Sequence, residues 1–537
     1  MKGKKILILL AVIALGLASC KKEYLDTNNP VSISDEMVFG KYEYTLHVLN
    51  GVLGKYYDYP DANMQGDGGV GSMSFHARLD MMGDDVINSI SAYYMQYYRW
   101  TAVADEKSSF VNEAWDLYYD KIAVLNKLLK KVADVSDATD EQKAFLEGEV
   151  RILRAYSYHQ LVQMFGKRYV KGGANSDLGV VIRDENSKMD PKPRATVKEC
   201  YDFIVSDLVK GLELFGGLSD GFKPSPEYTN NWVGKTAAYA IAARVYQSMS
   251  DWEMVDKMTQ KSLDAAGKEG YSLVKDPKDL LNGFSDASCP EWIWGYVTPA
   301  EQWKSWNGFF KHFSYSIEGW NDVLKFAVNR DLFEGMGVND CRRKWWVCQD
   351  LGDEVPQGCD YYFTNQEFTG ASVKFNTSDP SNPSCPGDNL MMRLAVVYYM
   401  RAEALARLGK DGDAQKVLNK IMVTRDPDYS AATFTGDELI AEILRNKRID
   451  LWLEGERFFD MKRLCIGIDR LKSKNRDIVA TVAPQRLGTF VDRNSGKNAL
   501  YIPKNADSPN WEFMIPRAEL DGANTKVVQN PQHIAVK

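Results

Sequence analysis

The 537-residue chain carries 73 acidic and 66 basic side chains, which gives a formal net charge of −7 at pH 7. This acidic balance, without a basic stripe in the sequence, argues against nucleic acid as a partner. Hydrophobic residues make up 45% of the chain, an ordinary proportion for a globular protein with a large buried core.

The first twenty residues have the pattern of a bacterial lipoprotein signal peptide. Lysines at positions 2, 4 and 5 precede an apolar run over 6–17, and Leu17-Ala18-Ser19-Cys20 places small residues directly before a cysteine. Such a run spans about 18 Å as a helix, against roughly 30 Å of hydrocarbon core, so it is too short to cross a membrane. We expect cleavage before Cys20, lipidation of that cysteine and a polar tether over 20–34. An ordinary signal peptide with a chance cysteine is the alternative.

The spacing of apolar residues predicts a mainly α-helical fold after the tether. The predicted helices cover residues 34–57, 105–132, 139–165, 196–215, 235–249, 251–266, 390–408, 412–424 and 436–464. Asp140 is a candidate cap at the start of the third helix, and Gly166 is expected to end it. Residues 60–92 are rich in Gly, Asp, Ser and Met and are predicted to form a loop.

Two stretches of the chain predict pairs of closely packed helices. Residues 235–266 and 390–424 each contain two helical patterns joined by a short break. Alanines stand where the two helices of a pair would meet, at Ala237, Ala238, Ala240, Ala242, Ala243, Ala402, Ala404, Ala406 and Ala414. This arrangement is typical of tetratricopeptide-type hairpins, although the repeat spacing is irregular.

The helical pattern fails over about 268–390, where tryptophans are concentrated. Seven of the thirteen tryptophans lie there, namely Trp292, Trp294, Trp303, Trp306, Trp320, Trp345 and Trp346. A disordered segment would be poor in aromatic residues, so this stretch is predicted to be ordered and functional. The run Trp292-Ile293-Trp294 suits a buried strand.

The cysteines leave the disulfide pattern open. Once Cys20 is assigned to the lipid, seven remain, and an odd number cannot all pair internally. Cys341, Cys348, Cys359 and Cys385 lie near one another in the sequence, at a spacing that does not match a zinc site. They form either one or two disulfides or free thiols, and the sequence leaves both alternatives open. Cys200 and Cys465 fall in helical patterns and are predicted to be buried thiols.

No residue pattern indicates an enzyme, and we expect no catalytic residues and no cofactor. Glu454 and Glu456 lie two residues apart, on nearly opposite sides of one helix, so they do not suit a glycosidase pair. Glu454 with Arg457, and Arg457 with Asp460, stand at i,i+3 spacing and are predicted to form ion pairs. The glycines at 66, 68 and 71 lack the flanking strand and helix of a dinucleotide site. A structural calcium ion stays open at Asp67, Asp84 and Asp85, although EF-hand spacing is missing.

Short motifs follow the lipobox in a fixed order along nearly the whole chain. They are Tyr24-Leu25-Asp26, Leu146-Glu147-Gly148-Glu149-Val150-Arg151, Leu153-Arg154-Ala155-Tyr156, Phe165-Gly166, Lys235-Thr236-Ala237-Ala238, Ala243-Arg244-Val245-Tyr246, Arg393-Leu394-Ala395, Arg401-Ala402-Glu403-Ala404, Glu454-Gly455-Glu456-Arg457, Phe458-Phe459-Asp460-Met461-Lys462-Arg463, Ile515-Pro516 and Gln529-Asn530-Pro531. The ordered set resembles the SusD/RagB family, the surface nutrient-binding lipoproteins of Bacteroidetes-type bacteria.

The resemblance implies a single SusD-like domain over 35–537, with tetratricopeptide-like helix pairs and an irregular ligand-binding segment at about 268–390. It also implies a lipid-anchored position on the outer membrane, exposed at the cell surface, above a SusC-like TonB-dependent transporter as partner. Glycan is the leading ligand class and peptide the alternative, because the ligand surface of such proteins differs between members. A surface enzyme and a scaffold without a small ligand are the further alternatives.

Aromatic stacking is the predicted mode of ligand binding. A sugar ring that covers roughly 50–80 Å² of apolar surface gains about 1–2 kcal/mol at about 25 cal/mol per Å². Trp303, Trp306 and Trp320 have polar or glycine neighbours, which suit a ring with one exposed face. The predicted ligand-binding residues are Trp303, Trp306, Trp320, Tyr93, Tyr94, Asn88 and Arg78, with no metal ligand.

Overall fold

A computed structural model of the protein describes residues 39–57, 71–88, 94–188, 190–225, 231–281, 284–302, 308–313, 326–347, 371–372, 374–375, 379, 381–382, 384–472, 474, 501–522 and 526–535. The predicted signal peptide, Cys20 and the tether lie outside these residues. No described helix combines the length and the apolar character that crossing a membrane requires.

Helices dominate the first half of the described chain. They are α1 Tyr42–Tyr57, α2 Gly71–Met81, α3 Met95–Tyr98, α4 Thr101–Ala104, α5 Ser109–Lys131, α6 Asp140–Phe165, α7 Val197–Gly217, α8 Lys235–Ser248, α9 Trp252–Glu269 and α10 Pro277–Leu281, with strand β1 Val86–Asn88 between α2 and α3.

The second half mixes short strands with helices. In chain order it contains β2 Trp292–Tyr296, α11 Phe309–Phe313, β3 Phe326–Val328, α12 Arg330–Glu334, β4 Trp346–Val347, β5 Ala371–Ser372, β6 Asn389–Arg393, α13 Leu394–Arg407, α14 Asp411–Met422, α15 Gly436–Asp450, α16 Glu456–Arg463 and α17 Arg517–Asp521. The mainly helical fold predicted from the sequence is confirmed.

Local capping signals set the start of the long helices. Thr139 caps α6, because its hydroxyl accepts from the Gln142 N–H at 3.1 Å while the Gln142 side chain accepts from the Thr139 N–H at 2.8 Å. Thr196 and Glu199 form the same reciprocal pair at the start of α7. The cap of α6 is therefore Thr139 and not Asp140, which is the first helical residue, whereas Gly166 ends the helix as predicted.

The predicted helix pairs are present and their alanines are buried. The α8–α9 and α13–α14 hairpins pack side by side, and the alanines named above are all buried between helices. Helices α6 and α7 approach closely at glycines, since a methyl group on Gly148 would lie 2.6 Å from the Phe215 ring. Small residues thus allow the backbones of paired helices to approach.

Two predicted boundaries are wrong. Residues 71–88 were expected to be loop but form α2 and β1. Every residue of α2 is buried, so the helix carries no polar stripe to reveal its periodicity. The single helix predicted over 436–464 is interrupted between α15 and α16, where Gly455 has φ of 81°.

The cysteine predictions are partly tested. Cys341 is a free thiol, and Cys200 is buried as predicted. Cys465 is only half-buried, just beyond the end of α16, and not in the core. Cys348 and Cys359 lie outside the described residues, so any pairing that involves them stays a prediction.

Candidate ligand-binding site

A four-stranded antiparallel sheet, in the order β1-β3-β5-β4, organises the aromatic region. Strands β1 and β3 pair with Asn88 opposite Phe326 and Val86 opposite Val328. The last residue of β1 is therefore the neighbour of the first residue of β3. The chain leaves β1 and enters β3 at the same end of the sheet.

Tyr94 and His312 make a second junction between the same two parts of the chain. The Tyr94 hydroxyl lies 2.6 Å from Nδ1 of His312, and both side chains are buried. Because Tyr94 precedes α3 and His312 belongs to α11, the bond joins segments 218 positions apart in sequence. Sequence reasoning missed His312, since no local motif marks a histidine whose partner is so distant.

Aromatic rings fill the space around this bond. Tyr94 meets Phe326 edge-on at 5.3 Å between ring centroids, and Phe313 stacks on Phe326 at 5.6 Å. Phe309 stacks on Phe313 at 4.6 Å and meets Phe375 edge-on at 5.2 Å between ring centroids. These five residues and His312, here called the aromatic cluster, hold α11, β3 and the residue before α3 together.

Tyr94 also has an uncommon backbone conformation. Its φ is 68° and its ψ is 0°, in the left-handed region that residues with bulky side chains rarely adopt. Surrounding structure must therefore hold it there, and residues held in this way concentrate at binding and active sites. This observation marks the junction at Tyr94 as a candidate site independently of the tryptophans.

Two of the predicted ligand contacts are corrected by the structure. Tyr94 is 0% exposed, because its ring is enclosed by His312, Phe313 and Phe326, so it supports the site from inside and offers no face to a ligand. Arg78 is also 0% exposed and pairs with Glu113 at 2.6 Å. A guanidinium enclosed in the core cannot reach a surface ligand, so Arg78 is a structural residue.

The other predicted ligand contacts stay predictions. Asn88 is the last residue of β1, where its backbone pairs with Phe326. Tyr93, Trp303, Trp306 and Trp320 lie outside the described residues. Of the described residues that flank these gaps in the chain, Tyr94, Phe313 and Phe326 belong to the aromatic cluster, Gly308 directly precedes α11, and Gln302 ends a short 3-10 turn.

A buried charge network adjoins the aromatic cluster at Lys374. Arg393 pairs with Glu291 at 3.0 Å, with Asp450 at 3.1 Å and with Glu454 at 2.7 Å. Lys374, next to Phe375 of the cluster, donates to Glu454 at 2.6 Å and to two backbone carbonyls, those of Asp450 and Trp452. The network connects strand β6 and the end of α15 to Lys374, which directly precedes Phe375 of the aromatic cluster.

Four of the acidic residues considered for chemistry form ion pairs in the described part of the chain. Glu454 belongs to the charge network, and Glu456 pairs with Arg244 and Lys447. The predicted pairs Glu454–Arg457 and Arg457–Asp460 are wrong, because Arg457 pairs with Asp84 and Asp460 pairs with Lys447 and Arg463. Asp84 pairs with Arg457 and Asp85 with Arg448. Asp67 lies outside the described residues. Within the described part of the chain, no group of three or more His, Cys, Asp or Glu side chains is arranged for a metal ion.

Comparison with known families gives two matches. Residues 62–247 match the SusD-like family described as "Starch-binding associating with outer membrane", and residues 354–533 match the SusD family. The chain belongs to the SusD/RagB family. Among curated relatives of this SusD/RagB chain, SusD-like protein P2 of Formosa agariphila is 20% identical over 393 residues, which cover 67% of this chain and 73% of the relative.

Solved structures show the same SusD-like fold. A putative sugar binding protein from Bacteroides vulgatus aligns with a TM-score of 0.71 and 22% identity, over 92% of this chain and 99% of that one. A SusD-like carbohydrate binding protein from the same species aligns with a TM-score of 0.67 and 21% identity, over 80% of this chain and 84% of that one. The expected SusD-like α-helical architecture is thereby confirmed.

Proposed function

We propose that this SusD-like protein is a glycan-binding lipoprotein on the outer membrane that captures oligo- or polysaccharide at the cell surface. It delivers the glycan to a SusC-like TonB-dependent transporter, and it catalyses no reaction. A modest affinity is sufficient for this role, because a capture protein held next to the transporter raises the effective concentration of ligand there.

The observation that carries the proposal is the meeting of distant chain segments at the aromatic cluster. Asn88 pairs with Phe326, and Tyr94 contacts both His312 and Phe313. Tyr93 directly precedes Tyr94, and Trp303, Trp306 and Trp320 lie about six to nine positions in sequence from His312 or Phe326. These four residues supply aromatic rings for stacking on sugars. We propose these four residues and Asn88 as the ligand contacts.

The family match supports the class of ligand and the location. The matched family description names starch binding and association with the outer membrane, and two structural neighbours are described as carbohydrate or sugar binding proteins. The lipobox at Cys20 supports the lipid anchor.

The proposal is tested by offering the purified full chain a panel of oligosaccharides and a panel of peptides under the same conditions. Binding to oligosaccharides without binding to peptides supports it, and the reverse result identifies a peptide-binding protein instead. Extraction of the native protein in mild detergent should bring down a barrel transporter. Cys20→Ala should release the chain from the membrane fraction, and a variant that fractionates as wild type would contradict the anchor.

A further inference from the structure

A cleft of about 380 Å³ opens on a part of the surface that shares no lining residue with the aromatic cluster. One wall is the loop from Lys167 to Asp177 after α6, and the other is formed by residues 506–512 together with Lys462 of α16. The volume falls at the lower end of the roughly 300–1,000 Å³ usual for small-molecule sites. The cleft can therefore hold a small ligand.

Glu512 is a buried acceptor in this cleft. The residue is only 5% exposed, yet among the described residues no group donates a hydrogen bond to its carboxylate. The charges that act on it are those of Lys462, Lys167, Asp177 and Arg194, of which the first three line the cleft. Burial raises the pKa of Glu512, and Lys462 and Lys167 oppose that shift. A nearly enclosed carboxylate without a donor from the protein keeps its acceptor positions for water or for a ligand in the cleft.

The walls of the cleft are held in place by bonds within the protein. Lys462 donates to the carbonyls of Gln163 at 2.6 Å, Gly166 at 2.7 Å and Trp511 at 3.0 Å. The Asn175 side chain accepts from the Val170 N–H and donates to the Val170 and Gly173 carbonyls, which fixes the loop. A ligand thus meets a preformed shape and loses little free energy in ordering it.

The charges around the cleft balance. Its lining contains the cations Lys167, Arg168 and Lys462 and the anions Asp177, Asp507 and Glu512. A cleft of balanced charge that offers both donors and acceptors fits a neutral, hydroxyl-rich molecule better than an ion, because hydroxyl groups both donate and accept.

We infer that this cleft is a second saccharide site, in which Glu512 accepts hydrogen bonds from the hydroxyls of a neutral sugar unit. Lys167, at the rim, donates to the same ligand. The inference rests on the proposed glycan ligand but concerns a surface separate from the aromatic cluster, so a long glycan would contact the protein at two places.

The test is acylation footprinting of lysines on the purified full chain, read by mass spectrometry, with neutral disaccharides as probes. Lys167 is 54% exposed and paired with Asp177 at 2.8 Å. Lys268 is its matched control, since it is 67% exposed and paired with Asp220 at 3.1 Å on another part of the molecule. At least one disaccharide should protect Lys167 and leave Lys268 reactive.

Variants separate this cleft from the aromatic cluster. Glu512→Gln should weaken the protection of Lys167 by about tenfold in ligand concentration, because a neutral amide oxygen replaces the charged acceptor and holds sugar hydroxyls less strongly. Glu253→Gln on the exposed face of α9 is its control, and the double variant Trp303→Ala/Trp306→Ala should keep the protection. Asp177→Asn, at the exposed rim, serves as a second variant if Glu512→Gln melts early.

Three results would overturn the inference. Lys167 that reacts equally with and without every disaccharide shows that the cleft binds no neutral sugar. Protection that persists in Glu512→Gln and Asp177→Asn places the ligand elsewhere. Protection that disappears in the double tryptophan variant shows that the effect comes from ligand bound at the aromatic cluster. If that variant loses binding at the cluster but Lys167 stays protected, the second site is supported even though the first has been removed.

Discussion

Tyr94 and His312 are joined by a hydrogen bond of 2.6 Å inside the aromatic cluster. The bond fixes the residue that follows Tyr93 against α11, which lies between the sequence positions of Trp306 and Trp320. It places chain segments that carry predicted ligand contacts on one rigid support. We therefore expect Tyr94 to position the proposed site and not to touch the ligand.

Tyr94→Phe should lower both stability and ligand affinity. Removal of the hydroxyl deprives the buried His312 Nδ1 of its bond to Tyr94, which costs about 1 kcal/mol in the free energy of unfolding. Oligosaccharide affinity should fall as well, because the support is loosened. Urea melts and calorimetry measure the two effects, with Tyr44→Phe on the exposed face of α1 as the control. Unchanged affinity in a destabilised Tyr94→Phe would show that the bond has no positioning role.

Arg393→Leu should destabilise the protein severely. The variant leaves Glu291, Asp450 and Glu454 with one fewer cation in the buried network, and an uncompensated buried charge typically costs about 3–5 kcal/mol. Arg517→Leu is the matched control, because Arg517 also contacts two carboxylates but lies at the surface, and it should change the melt little. Similar melting of both variants would contradict a structural role for the network.

Gly455→Ala should destabilise the junction between α15 and α16. Gly455 has a positive φ of 81°, and an added methyl group would lie 2.5 Å from Cβ of His76. Gly412→Ala, in α14 with open space around its Cα, should instead stabilise by about 0.5–1 kcal/mol. Thermal melts compare the two, and a Gly455→Ala variant as stable as wild type would contradict the described geometry.

Glu149 should make stability depend on pH. Burial raises the pKa of Glu149 to about 8 from its ordinary value of 4.5, and the Val233 N–H only partly opposes this. Between these two values the folded protein keeps a proton that the unfolded chain releases, so the free energy of unfolding falls as pH rises.

Glu149→Gln is neutral at every pH and removes that dependence. In urea melts from about pH 5 to about pH 8, the free energy of unfolding should fall less steeply with pH for Glu149→Gln than for wild type. The exposed Glu213→Gln should keep the wild-type slope. Identical slopes for wild type and Glu149→Gln would mean that Glu149 ionises normally in the folded protein.

Local signals allowed much of the fold to be predicted. The caps at Thr139 and Thr196, the end of α6 at Gly166 and the alanine seams of the hairpins all act over a few residues or one helix turn. Helix α2 escaped prediction because all its faces are buried, so its sequence lacks an amphipathic pattern. The break at Gly455 escaped because a single glycine inside a helical pattern does not reveal whether its φ is positive.

The candidate site was harder to predict, since its parts meet only in three dimensions. A charged residue in a supposed loop, Arg78, looked accessible but pairs with Glu113 inside the core. The tyrosine at 94 looked like a stacking residue, yet its ring closes the aromatic cluster. Neither the burial of these side chains nor the Tyr94–His312 bond has a signal in the spacing of residues.

The most direct test of the account is calorimetric titration of the best-bound oligosaccharide into wild type and into Trp303→Ala, Trp306→Ala and Trp320→Ala, with thermal melts alongside. Each lost stacking contact should lower affinity by about tenfold, corresponding to about 1–2 kcal/mol, while the melting temperature stays near that of wild type. The buried Trp294→Ala is the control and should lose about 3–5 kcal/mol of stability. If all three variants of the predicted stacking tryptophans lose stability and none loses affinity, these tryptophans are core residues and the proposed glycan site is wrong.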